Sequence, residues 1–287
     1  MTTLFFRENP MNFYRLVMRH ISTEYPEDNL KKSAVVFSPH FDDETLGCGG
    51  TIIKKKRVGA DVKIVFMTDG SKSHRHLIAE DKLKAIRKSE SLTVSHALGL
   101  TENDVFFLDF EETKLSEHNS SAVNKVIEIL SSQQPDEVFI PYRREPPLWS
   151  LDHLATNRIV VSALQENVKK TSVYEYPIWL WYHQPFLSVL MSAPKKILSS
   201  LKNRLVSELN LLKDFRSSVY VGDVLQLKRA ALNHYKSQMT RLIPDSDWQT
   251  LGDLSNGEFL ECFFQEYEIF HHYIPNNSTT QAHSKDD

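Results

Sequence analysis

The chain has 287 residues, 41% of them hydrophobic and 25% charged, enough to bury the core of one large domain or of a domain with an appendage. A formal net charge of -3 lacks the basic footprint of a nucleic-acid binder, so no nucleic-acid partner is expected. Cys48 and Cys262 are the two cysteines and make no disulfide framework; with no signal-peptide core and no apolar run near the ~18 residues of a membrane span, a soluble cytoplasmic protein is expected.

Along the chain, residues 1–30 read as an N-terminal helical extension. Short β-branched runs then alternate with helix-like stretches. SAVVFS (33–38), VKIVFMT (62–68), VFFLD (105–109), EVFIPY (137–142) and SVYEYPI (172–178) read as strands. Residues 44–58, 77–98, 121–132 and 152–170 have the length and periodicity of helices. This alternation predicts an α/β fold, a Rossmann-like three-layer core over 31–182 with a mostly parallel sheet. Functional groups in such sheets gather outside the carboxyl ends of the strands. That rim would hold residues 40–43, 68–70, Asp109 and residues 142–149.

After Trp181 the pattern changes. Residues 183–217 read as a basic amphipathic helical insertion, with Ile197, Leu198, Leu201, Leu205, Leu209 and Leu212 at helical spacing and Lys195, Lys196, Lys202, Arg204, Lys213 and Arg216 outnumbering Glu208 and Asp214. Such a helix can lie on an anionic membrane surface. Packing on its own domain is the preferred reading, because amphipathicity is the norm for surface helices. Residues 218–274 read as the C-terminal part of the same domain, with a helix near 224–238, and the whole as a helical C-terminal extension. The polar tail, 275–287, reads as disordered.

The stretch SPHFDDETLGCGG (38–50) concentrates the chemistry. His40 and Asp43 flank a strand-to-helix turn and can converge on one point, and an imidazole with a carboxylate suits zinc or a similar divalent metal. A catalytic zinc site usually has three protein ligands, and His153, in WSLDH after another strand, is the natural third. Asp42, beside Asp43, is free to take a proton from water. An isolated H-x-x-D also reads as a capped and charged helix start. Gly47, Gly49 and Gly50 favour more than that. Each weakens a helix by about 1 kcal/mol relative to alanine, so close packing against sheet or ligand is expected. His74 and His76 read as a solvated loop, Cys48 as a packed thiol, and His271 and His272 as structural.

The same stretch resembles the signature of the LmbE-like, or PIG-L, family of metal-dependent N-deacetylases, written PHPDDE before a glycine-rich helix start. TDG (68–70), IRKSESLTVSHALGL (86–100), PDEVFIPY (135–142), LDH (151–153), YEYPIW (174–179) and YKSQ (235–238) continue the resemblance in the family's order. It implies His40, Asp43 and His153 as zinc ligands and Asp42 as general base. Arg87 and Asp109 would contact substrate. The implied reaction is attack of metal-activated water on an N-acetyl carbonyl of a sugar, glycoside or glycolipid.

Two residues depart from the family pattern. Phe41 replaces the usual proline and would add an aromatic wall. Ser150 stands where a histidine thought to stabilise the oxyanion is common; it can donate a hydrogen bond but carries no charge, and Tyr142, Arg143, Arg144 and Trp149 are nearby alternatives. Arg87 and the basic segment hint at an anionic or lipid-linked substrate. Two rivals stand beside the deacetylase: a metal-dependent phosphoesterase, and a glycan-binding protein of the same fold with weakened catalysis.

Overall fold

A computed structural model describes residues 20–146, 151–166, 169–182 and 213–275. Each β-branched run forms a strand: β2 (Ala34–Ser38), β3 (Val62–Thr68), β4 (Val105–Phe110), β5 (Glu137–Pro141) and β6 (Ser172–Tyr176), preceded by a short β1 (Thr23–Glu24). Helices α1 (Asp43–Arg57), α2 (Glu80–Ala97), α3 (Asn119–Gln133) and α4 (Leu151–Gln165) lie between them in sequence. The order across the eight-stranded sheet is β1-β7-β8-β6-β5-β2-β3-β4, where β7 is Phe215–Tyr220 and β8 is Tyr267–Tyr273. Strands β4, β3, β2, β5 and β6 run parallel, with Ala34 opposite both Val62 and Glu137.

Side-chain alternation explains the layers. Along β2, Val36 faces a core shared with Leu46 and Ile52 of α1 and Val94 of α2. Val35 and Phe37 face the other core, with Val126 of α3 and Ile159 and Val160 of α4. A strand covered on both faces is apolar at nearly every position, which is how these runs appear in the sequence.

The C-terminal part holds more than helices. It contributes helices α5 (Leu225–Leu232), α6 (Lys236–Met239) and α7 (Glu258–Glu261), but also β7 and β8. Strand β8 is antiparallel to both β6 and β7. FRSSVY and YEIFHHY hide their strand character because charged and histidine positions interrupt the apolar ones. Near the N-terminus, β1 pairs with β7 and Glu27–Lys31 is a 3-10 turn, while most of the expected helical extension, 1–30, lies outside the described residues. The expected insertion, 183–217, lies mostly outside the described residues, and β7 spans its expected end. Among the described residues no helix is long and apolar enough to cross a membrane.

The glycines of α1 answer to packing. A Cβ on Gly47 would stand 2.4 Å from Cδ2 of Tyr176 on β6, and one on Gly50 would stand 2.6 Å from Cβ of Val221. The helix therefore lies closer to its neighbours than a side chain would permit.

Candidate active site

The strand order reverses at β2: β3 and β4 lie to one side, β5 and β6 to the other. A crevice opens there at the carboxyl ends of the strands, and the turn after β2 fills it. Ser38 donates its Oγ proton to the His40 carbonyl (2.6 Å) and accepts from the Glu44 amide (3.1 Å). From β3, the Thr68 amide and hydroxyl both donate to the Pro39 carbonyl. Asp42 precedes α1 at φ 131°, a conformation that stores about 1–3 kcal/mol in a non-glycine residue. This bend separates two adjacent carboxylates. Asp43 Oδ2 accepts the His40 amide at 3.0 Å, whereas Asp42 Oδ2 accepts Nε2 of Gln238 at 2.9 Å.

His40, Asp43 and His153 converge, with one ligand atom from each within 4.8 Å of the others. His40 Nδ1 and His153 Nε2 stand 3.3 and 3.2 Å from Asp43 Oδ2. Fully buried His153 has no hydrogen-bond partner for either ring nitrogen among the described residues. Two imidazole nitrogens aimed at one carboxylate oxygen, with a buried donor atom left unsatisfied, fit a divalent metal ion between them. The other nitrogen of His40 lies 3.2 Å from Asp152 Oδ2, and Asp152 in turn accepts the Thr113 and Leu115 amides. A carboxylate behind a ligating histidine fixes its ring and tautomer. Burial would lower the His40 pKa, but Asp152 and Asp43 outweigh it and hold it well above the ordinary value. Burial would likewise raise Asp43, yet His153 and His40 hold it low. Asp42 goes the opposite way, raised first by burial and then by the charges of Asp43 and Glu44.

A cavity of about 380 Å³ opens beside this corner. Arg87 reaches its wall from α2 and is 1% exposed. Its guanidinium donates to the Gly70 carbonyl, Ser73 Oγ and Gln238 Oε1. Gln238 therefore turns its amide nitrogen toward Asp42, and Arg87 acts on that acid through it. Asp109 is not among the lining residues; it sits at φ 55° with Lys84 Nζ at 3.1 Å and Lys88 Nζ at 3.6 Å. Ser150 and Trp149 lie outside the described residues. Tyr142 and Arg144 bind Asp214, and Arg143 binds Glu175, so none of these three faces the cavity.

Phe41 forms no wall of the cavity: it is buried against Phe66, with ring centroids 4.7 Å apart. His74 is buried rather than solvated, stacked at 4.1 Å on Trp248 from the distant C-terminal part. The lining also contains Glu112, Thr113, Leu251 and Phe259, which no local motif marks, and Ile178 and Trp179, which end the YEYPIW run.

Comparison with known proteins fits this geometry. Residues 35–164 match the family model described as "PIG-L: GlcNAc-PI de-N-acetylase". The match covers the segment that carries the site. It contains His40, Asp42, Asp43, Arg87 and His153. A diacetylchitobiose deacetylase of Thermococcus kodakarensis is 28% identical over 117 residues, which span 40% of this chain and 42% of that protein. The N,N'-diacetylchitobiose deacetylase structure from Pyrococcus horikoshii superposes with a TM-score of 0.60 at 19% identity, over 93% of this chain and 92% of that one. A 4-carboxy-2-hydroxymuconate hydratase from Pseudomonas putida shares the fold too, at TM-score 0.54 and 18% identity, covering 72% and 80%. The fold alone thus does not choose the reaction.

Proposed function

We propose that the protein is a metal-dependent N-deacetylase that removes acetyl from an N-acetylated sugar or sugar conjugate. The convergence of His40, Asp43 and His153 beside Asp42, within the segment that matches the PIG-L model, carries this reading. His40, Asp43 and His153 would hold zinc, which when bound polarises the amide carbonyl and acidifies water. Asp42 accepts the water proton and delivers it to the departing nitrogen. The water oxygen bonds to the acetyl carbon as the C–N bond breaks, giving acetate and a primary amine. Gln238 fixes the orientation of Asp42, and Arg87 fixes that of Gln238. Asp152 steadies His40.

The test is release of primary amine from N-acetylglucosamine and its glycosides by zinc-loaded protein. Turnover by the parent that collapses in Asp42→Ala is expected. Equal rates in parent and variant would refute the assignment of Asp42, and zinc-bound protein inert on every N-acetyl sugar would refute the reaction.

A further inference from the structure

The cavity has two chemically distinct sides. One begins beside the metal ligands, where the Trp179 ring stands 6.4 Å from that of His153, and continues onto Phe259, stacked on Trp179 at 5.4 Å and 21°. Leu46, Ile178, Leu251 and Leu151 also line the cavity, Leu151 being 61% exposed. The other side carries Asp42, Asp43, Glu112 and Asp152. Arg87 is the lysine or arginine among the described lining residues, and its terminal nitrogens donate to Gly70, Ser73 and Gln238. Among the described residues, no exposed cation lines the cavity to receive a phosphate or carboxylate. Away from the metal ligands, a ligand anion there would meet Glu112 and an apolar wall.

Resting on the deacetylase reading, we infer that the group attached to the acetylated sugar is uncharged and apolar. The acetamide would sit at His40, Asp43 and His153, and an alkyl or aryl aglycone would run along Trp179, Phe259 and Leu251 toward Leu151. Such a wall gains affinity from apolar area removed from water, and a few buried methylenes suffice for roughly a tenfold to hundredfold preference. This departs from the anionic substrate that Arg87 and the basic 195–216 segment hint at in the sequence. A buried arginine whose two terminal nitrogens are bonded within the protein orients its neighbours more than it recruits charge.

The experiment compares kcat/KM of the zinc-loaded full chain on N-acetylglucosamine, N-acetylglucosamine 1-phosphate, and the octyl and phenyl N-acetylglucosaminides. The octyl or phenyl glycoside is expected to exceed the free sugar by roughly tenfold or more, with the phosphate slowest. Whichever of the two gains more identifies an alkyl or an aryl aglycone. Trp179→Ala should bring the ratio of octyl glycoside to free sugar toward one, and Leu251→Ser, at a half-buried position, should lower it without threatening the fold. A phosphate ester turned over fastest, or equal rates throughout, would overturn the inference. If zinc-bound parent releases no amine from any of the four, the deacetylase reading falls, and calorimetry decides the cavity separately. Uptake of octyl glycoside in preference to the phosphate would retain the apolar assignment; the reverse would end it.

Discussion

Helix α1 carries two buried clusters of charge, built on opposite terms. Midway along it, Glu268 of β8 accepts the Gly50 amide, the Thr51 amide and hydroxyl, and the Lys228 ammonium, at 2.6–2.8 Å. Lys228 also donates to the Leu46 carbonyl at 2.8 Å, so the ion pair engages both ends of one i to i+4 step of the helix. At the N-terminus, by contrast, Asp42 holds a strained backbone, and the ring nitrogens of His153 have no hydrogen-bond partner among the described residues. The first cluster satisfies its charges within the protein. The second leaves capacity directed into a cavity, which is how buried polarity kept for a ligand differs from buried polarity kept for the fold.

The largest expected break in this contrast is Asp42→Asn. Removing a general base should lower kcat by roughly a hundredfold to ten-thousandfold. The melting temperature should hold or rise, because the variant removes a buried charge from beside Asp43. Steady-state kinetics beside thermal melts check both halves, and a large loss of stability would mean that Asp42 serves the fold. The complementary variant is Lys228→Met. Leaving Glu268 buried without its cation should reduce stability by about 3–5 kcal/mol, read by urea denaturation, with kcat of the remaining folded enzyme little changed. If instead kcat fell with stability intact, the two clusters would not be separable.

Next in size is metal linkage. Zinc at a hundred times its dissociation constant should stabilise the parent by about 2.7 kcal/mol. His153→Ala should lose most of that response in calorimetric melts, whereas Lys228→Met should keep it. A His153→Ala protein that still responds fully to zinc would place the metal elsewhere.

How far the sequence reveals these two clusters depends on how local they are. His40, Asp42 and Asp43 fall within four residues, and the five parallel strands are mostly apolar, so both the corner and the sheet were legible. His153 could be reached because it opens the helix after β5. Of the partners from residues 215–275, Gln238 was marked by the YKSQ stretch, but Phe259, Trp248 and Glu268 were not, because two interrupted strands, β7 and β8, bring their part of the chain back to the sheet. Gly49 and Gly50 promised a close approach, but only the fold shows that the visitors are Lys228 and Glu268. Arg87 was legible as a member of the site, while its engagement with Gln238 depends on that same returning segment.

Glu145 offers the finest test, read pH unit by pH unit, since it belongs fully to neither cluster. Its carboxyl is buried; one oxygen accepts the Ile178 amide at 2.6 Å, and the other has no hydrogen-bond partner among the described residues. Burial, partly offset by the amides of residues 178–180, pushes its pKa from 4.5 up to about 8. An acid raised in this way stays protonated in the folded chain while the unfolded chain ionises. Its contribution is therefore complete below pH 4.5 and is lost as pH rises to about 8, beyond which both states are ionised. One such group sets a slope of at most about 1.4 kcal/mol per pH unit. Metal-free parent should thus lose stability relative to Glu145→Gln across that window, with the difference levelling off above it. Parallel profiles for the two proteins would mean that Glu145 is charged in the fold, and that the turn bearing Trp179 is held by an ionised carboxylate rather than a neutral one.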